Sequence, residues 1–250
     1  MISKNQIKLI KSLEQKKFRR REGLFVAEGP KVVGDLMKRW TPVAVYATED
    51  YTPTLPVNVE RITDDELRRT SFLQHPQQVL ALFELPQDTA FTPSETKLTL
   101  ALDGVQDPGN LGTIIRLADW FGIEDIICSQ ETADAWNPKV VQATMGSLAR
   151  VNIIYTNLTE LLETLPGGFP VYGTLLDGDN IYTQELTKGG IIIMGNEGNG
   201  LTEKVRRRVN RRLLIPSYRT DDTAESLNVA IATAIVCAEF RRRGNGYPSL

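Results

Sequence analysis

The chain has 250 residues, 41% hydrophobic and 24% charged, with a formal net charge of −2. That balance excludes a disordered tail, a fibrous repeat and a coiled coil, and leaves room for one large domain or two ordinary ones. Two cysteines, Cys128 and Cys237, make neither a zinc site nor a disulfide scaffold. The single histidine, His75, rules out two-histidine metal sites. It sits in Leu73-Gln74-His75-Pro76 beside no nucleophile motif, so a Ser-His-Asp relay is not expected either. No apolar run reaches the length of a membrane span, and Met1-Ile2-Ser3-Lys4-Asn5 lacks the apolar stretch of a signal peptide. The expectation is a reduced, soluble, cytoplasmic protein with no metal and no membrane partner.

Along the chain, a basic helix is predicted over Ile2–Leu13, then a strand over Leu24–Ala27 and a helix over Pro30–Arg39, with proline suited to the first turn. Val43–Tyr46 and Val79–Glu84 read as strands and Asp64–Thr70 as a helix. The polar, proline-flanked stretch Pro86–Glu95 has no periodicity and divides the chain near residue 92, into parts 1–92 and 98–250 with 93–97 as linker. The second part alternates predicted strands (Leu98–Leu102, Asp125–Cys128, Val151–Tyr155, Val171–Leu175, Ile191–Met194, Arg212–Ile215) with predicted helices (Thr113–Phe121, Asn137–Leu148, Leu158–Leu165, Thr202–Val209, Ala224–Arg242). The wholly apolar runs at Leu98 and Ile191 fit strands buried on both faces. The pattern is therefore an α/β fold with a parallel sheet covered by helices on both sides, behind a smaller N-terminal α/β part. In such sheets ligands bind at the carboxyl ends of the strands.

Three of those post-strand loops are rich in chemistry. Asp103–Arg116 combines Asp107-Pro108-Gly109-Asn110 with Gly112 and Arg116. If its helix begins at Thr113, Arg116 lies near a positive helix end, unfavourable by up to about 1 kcal/mol unless an anion is near. Gly195-Asn196-Glu197-Gly198-Asn199-Gly200 is neither a dinucleotide fingerprint nor a P-loop, but it brings backbone and a carboxylate to a strand tip. Ile215-Pro216 leads to Ser226-Leu227-Asn228-Val229, where Ser226 and Asn228 can cap a helix or reach a ligand, and Leu227, Ile231, Ile235 and Ala238 form one stripe.

Charge is segregated. Residues 1–22 hold eight Lys/Arg against Glu14 and Glu22, Lys204–Arg212 hold six and no acid, and Arg241-Arg242-Arg243 adds three. Basic blocks rich in arginine on an otherwise acidic chain point to a polyanion, with nucleic acid the leading partner; the bland alternative is solvated helix faces.

In order, spacing and residue type, the three loops resemble the signature motifs of the SpoU (TrmH-like) RNA ribose 2'-O-methyltransferases of the SPOUT superfamily. Asn110, Gly112 and Arg116 match the first, Gly195, Glu197, Gly198 and Gly200 the second, and Ile215-Pro216 with Ser226–Val229 the third. Gly23-Leu24-Phe25-Val26-Ala27-Glu28-Gly29 is similar to the substrate-binding domain that often precedes this catalytic domain. The resemblance implies a deep trefoil knot, a homodimer, and methyl transfer from S-adenosylmethionine to a ribose 2'-hydroxyl of RNA, ribosomal RNA ahead of transfer RNA. It also implies that Arg116, Asn110, Glu197, Ser226 and Asn228 do the catalytic work, while backbone around Thr174, Gly195, Ile215 and Leu227 holds the cofactor. One departure is the loop Ser217–Glu225, longer than the pattern and without its usual Met and Gly, which bears on the shape of the cofactor pocket. A non-catalytic RNA-binding protein would need the basic blocks but not Asn110, Arg116 and Glu197 together. A dinucleotide-dependent oxidoreductase would want a different first loop.

Overall fold

The computed structural model describes residues 1–87, 89–219 and 226–244. They fall into two compact units, one of residues 1–87 with 134–150, the other of the described residues within 89–133 and 151–244. Asp134–Arg150, which the strand–helix alternation assigned to the second part, thus packs with the first.

The first unit opens with α1 (Lys4–Ser12), begun by a Ser3/Gln6 capping box, and α2 (Lys16–Glu22), closed by Gly23 in the left-handed region. Then follow β1 (Leu24–Glu28), α3 (Pro30–Met37), β2 (Ala44–Ala47), β3 (Glu60–Arg61), α4 (Asp64–Thr70) and β4 (Val79–Glu84). The sheet order is β1-β4-β2-β3, antiparallel except for β2 with β3. Strand alternation sends Val26, Tyr46, Leu80 and Leu82 to one face, where they pack with Ile10 and Leu13 of the leading helical segment and Leu67 of α4. Phe25 points to the other face and meets Phe83 at 5.6 Å, Trp40 at 6.1 Å and Trp136 at 4.9 Å between ring centroids. Trp136 explains why its segment belongs here: its ring completes an aromatic cluster on β1.

Sequence reasoning missed α2, whose two-sided charge hides one inward residue. Arg19 is 2% exposed, bonds Asp134, and donates to the carbonyls of Leu13 and Glu14 at 2.6 and 2.7 Å.

In the second unit, β5 (Leu98–Asp103), α5 (Pro108–Trp120) and β6 (Asp125–Cys128) precede the excursion into the first unit, which carries α6 (Pro138–Ala143). The chain returns as β7 (Asn152–Tyr155), α7 (Leu158–Glu163), β8 (Val171–Asn180), β9 (Gly190–Gly195), α8 (Glu203–Arg206), β10 (Arg211–Leu214) and α9 (Val229–Arg243). All six strands are parallel, in the order β10-β8-β9-β5-β6-β7. The two apolar runs β5 and β9 are central neighbours and buried throughout most of their length. Ala101, Ile127, Ile191 and Ile193 face α7 and α8, and Phe91, read as linker, packs against that same cluster. On the other face α5 and α9 pack together, and Phe240 meets the Tyr172 ring edge-on at 4.8 Å.

Several boundaries move for local reasons. The helix predicted over Asn137–Leu148 stops at Ala143, because Met145 and Gly146 both take positive φ (53° and 94°), and a 3₁₀ turn follows at Ser147–Ala149. A Cβ on Gly146 would lie 2.6 Å from Asp35 Oδ2, so this break is fixed by close approach as well as by φ. The helix predicted from Thr202 to Val209 shrinks to the single turn α8. The helix predicted from Ala224 is described only from Val229; Ala224, Glu225 and the rest of 220–225 lie outside the described residues. Strand β8 runs past its predicted end: Arg211 and Arg212 pair with Tyr172 and Gly173, then Leu213 and Leu214 pair with Asp179 and Asn180, so Thr174–Gly178 leave the ladder.

Candidate active site

Strands β5 and β9 end in register, Asp103 opposite Gly195, so their loops start side by side. Asp107 caps α5 by accepting from Asn110 N–H at 2.8 Å, with Pro108 as the first helical residue. The helix therefore begins five residues before its predicted start, and Asn110 and Gly112 belong to it. Arg116 lies eight residues past Pro108, beyond the first turn and outside the reach of the positive helix end.

The second loop turns back on itself through paired bonds of 2.9 Å between the backbones of Asn196 and Gly200. It has no room for a side chain at Gly195, where a Cβ would lie 2.4 Å from the Gly200 carbonyl carbon. Among the described residues its glutamate accepts from the first loop alone: from Asn110 Nδ2 at 3.0 Å, and from Gln106 and Asp107 N–H at 3.4 Å each. The third loop closes the chain of contacts. Asn228 accepts the N–H groups of Ala230 and Ile231 at 2.9 and 3.3 Å as the cap of α9, and its Nδ2 donates to Asn110 Oδ1 at 3.0 Å. A directed relay thus runs Asn228 to Asn110 to Glu197, joining three loops far apart in sequence.

Two predicted residues stand outside this relay. Arg116 is exposed, and its guanidinium makes no hydrogen bond or ion pair among the described residues. Ser226 is exposed and likewise unbonded among them; the helix cap falls to Asn228 alone.

The residues expected to hold the cofactor cluster by strand order. Thr174, Gly195 and Ile215 lie where β8 leaves its ladder, where β9 ends and just after β10, three neighbouring strands. Thr174 donates to Ile193 C=O at 3.2 Å. Leu227, just before α9, is 48% exposed. Backbone groups at neighbouring strand ends and a half-exposed leucine are chemically suited to an adenosyl group, which needs directional hydrogen bonds and an apolar wall. A separate cavity of about 290 Å³ along the β8–β10 edge, lined by Tyr172, Gln184, Asn210 and Arg211 among others, contains none of these residues. Among the described residues no three His, Cys, Asp or Glu gather as metal ligands, and no helix is long and apolar enough to cross a membrane.

Sequence reasoning missed three supports. Asp107 was legible as an Asp-Pro helix start. Asp103, buried, accepts Thr202 N–H at 2.6 Å, and Asn196 Nδ2 donates to Gly104 C=O at 2.7 Å; neither leaves a local sign in the sequence. The basic blocks also differ from a plain phosphate surface. Arg206 and Arg212 bond Asp177, Arg208 bonds Glu163, and Arg242 and Arg243 bond Glu239. Arg241 donates to Phe121 and Gly122 carbonyls. Lys4, Lys8, Arg20 and Lys204 have no ion pair among the described residues.

Against known proteins, residues 97–238 match the model of the SpoU rRNA Methylase family, which is more than half of the chain. The chain belongs to the SpoU family. Residues 4–81 of this SpoU protein match an MRM3-like substrate binding domain. It is 33% identical over 249 residues to the 23S rRNA (guanosine(2553)-2'-O)-methyltransferase RlmP of Bacillus subtilis, covering 96% of this chain and 97% of the relative. Its fold is similar to a TrmH-family protein from Porphyromonas gingivalis, with a TM-score of 0.89 and 42% identity over 97% of this chain and 99% of that one. An AdoMet-bound rRNA methyltransferase from Sinorhizobium meliloti superposes with a TM-score of 0.83 at 31% identity, covering 97% of each chain.

Proposed function

We propose that this SpoU protein transfers a methyl group from S-adenosylmethionine to a ribose 2'-hydroxyl of structured RNA, with ribosomal RNA the preferred class and transfer RNA the alternative. The observation that carries the reading is the Asn228–Asn110–Glu197 relay at the carboxyl ends of adjacent strands, with the exposed Arg116 on the same helix as Asn110. The near full-length likeness to a 23S rRNA 2'-O-methyltransferase supports the ribosomal choice.

Thr174, Gly195, Ile215 and Leu227 would hold the cofactor, which when bound supplies a methyl already activated on a sulfonium. The chain's main task is then alignment of a hydroxyl, and orientation of this kind is worth on the order of 7 kcal/mol or more. Arg116, exposed and without an ion pair among the described residues, binds the target's phosphate and stabilises charge developing on the ribose oxygen. The relay fixes the loops around it.

We further propose the trefoil knot, in keeping with the departure of Thr174–Gly178 from the β8–β10 ladder, although knots are rare in general. A homodimer is proposed, and exposed large apolar side chains support it: Ile231 of α9 is 54% exposed, Leu227 four residues before it is also open, and Trp120 at the end of α5 is 84% exposed. The free, buried thiols of Cys128 and Cys237 accord with the reducing cytoplasm.

The test is transfer of labelled methyl from S-adenosylmethionine to unmodified ribosomal and transfer RNA side by side, with Arg116→Ala as control. The expected product is 2'-O-methylribose in ribosomal RNA, lost in the variant. Label in transfer RNA alone reverses the substrate choice, and no transfer with no cofactor binding favours a non-catalytic RNA-binding protein. Arg116→Lys should retain the pH–rate profile of the unaltered protein; a profile displaced toward lysine's range would make Arg116 the proton acceptor instead.

A further inference from the structure

We infer that Asn196 is a positioning residue for this site, setting the place of Glu197 by tying the second loop to the first; the inference rests on the activity proposed above. Asn196 uses its polar groups in two directions. Its Oδ1 accepts the N–H groups of Gly198 and Asn199 at 3.0 Å each, and its backbone pairs with Gly200, all inside its own loop. Its Nδ2 reaches outward and donates to Gly104 C=O at 2.7 Å, in the turn that leads to α5. Gly104 stands at φ 75°, so the carbonyl is presented by a backbone shape that side-chain-bearing residues resist.

At its far end the loop is held by a second tie, Thr202 N–H to the buried Asp103 carboxylate at 2.6 Å. Between these two ties lies Glu197, exposed, with two of its three contacts stretched to 3.4 Å. Bonds that long are too weak to determine where an exposed carboxylate sits. The short Asn196–Gly104 bond, one residue away, is the constraint that does so. It thereby fixes the acceptor end of the Asn228–Asn110–Glu197 relay.

Asn196→Asp separates the two directions. The carboxylate still accepts from Gly198 and Asn199, as an Asx turn allows, but it cannot donate to Gly104 and sets oxygen against oxygen there. The expected result is a loss of about tenfold or more in kcat for methyl transfer, as for other small misplacements of a site. The dissociation constant for S-adenosylmethionine should move less than about threefold, because the residues that would hold it are other ones, and in a Glu197→Gln background the same substitution should cost less than about threefold in kcat, since its effect passes through that carboxylate. Amide hydrogen exchange at Gln106 and Asp107, the N–H groups that Glu197 accepts from, should quicken.

Equal losses in both backgrounds would overturn the inference, since general damage to the loop adds independently. A weakening of cofactor binding that matches the loss in kcat would overturn it too, by making Asn196 part of the cofactor's wall. Unchanged exchange at Gln106 and Asp107 overturns it whether or not any RNA is methylated. Failure of the unaltered protein to methylate either RNA would count against the proposed activity alone.

Discussion

Asn228 holds a helix end with one atom and a neighbouring loop with another, and substitution can part the two. Serine caps helices about as well as asparagine, whereas alanine forfeits about 1 kcal/mol. Asn228→Ser should therefore keep the urea midpoint nearly unchanged and Asn228→Ala should lower it, while both lose the bond to Asn110 and with it methyl transfer. Equal activity in Asn228→Ser and the unaltered chain would reduce the residue to a cap. Gly195 invites a sharper prediction. A Cβ 2.4 Å from the Gly200 carbonyl carbon forces the loop apart, so Gly195→Ala should weaken S-adenosylmethionine binding by isothermal titration, with secondary structure intact by circular dichroism. The motif residues themselves were legible, because glycine turns after apolar runs are local signals. Which of them touch was not: Asn110 meets Glu197 and Asn228 across 87 and 118 residues of chain.

Helix α2 stands on Arg19 more than on its exposed cations. Removing one member of a buried ion pair typically costs about 3–5 kcal/mol, while an exposed charge away from such features moves stability by no more than about 0.5 kcal/mol. Arg19→Ala should therefore unfold the N-terminal unit at markedly lower urea, and Arg20→Ala on the same helix should not. In the same unit, burial pushes the Glu28 carboxyl above its ordinary 4.5, against the hydrogen bonds it accepts from Ser71 and Phe72. The folded form then binds its proton more tightly than the unfolded chain does. Stability from this group is complete below pH 4.5 and is lost as pH rises through the raised value. A series of urea midpoints across that window should slope downward, and the slope should shrink in Glu28→Gln. A basic run such as Lys16–Arg21 cannot disclose which of its members turns inward, because the partner, Asp134, comes from a segment more than a hundred residues away.

For the assembled protein, the two thiols and the uncovered face of α9 give direct tests. Burial pushes the Cys237 thiol up to about 12, and Cys128 is raised further still, so both stay protonated near neutrality. An aromatic disulfide reagent at pH 8 should find no fast thiol in the native protein and both after denaturation. Ile231→Arg should convert the proposed dimer to a monomer by sedimentation velocity; an unaltered sedimentation coefficient for the variant dimer would place the subunit contact elsewhere.

Apolar runs, turn residues and motif spacing alone determined that this chain folds as an α/β protein whose motif residues gather in three post-strand loops, because each of those signals is local. Packing decided the rest. In α9 the apolar residues fall on more than one face: Val229, Val236, Cys237 and Phe240 are buried, while Ile231, and Leu227 just before the helix, both in the stripe visible in the sequence, stay open. A helix apolar on both sides carries no information about which side a sheet will cover. Likewise Trp136 joins the first unit because the aromatic cluster around Phe25 lies there. Such pairings are set by surfaces that exist only once the strands have been laid side by side.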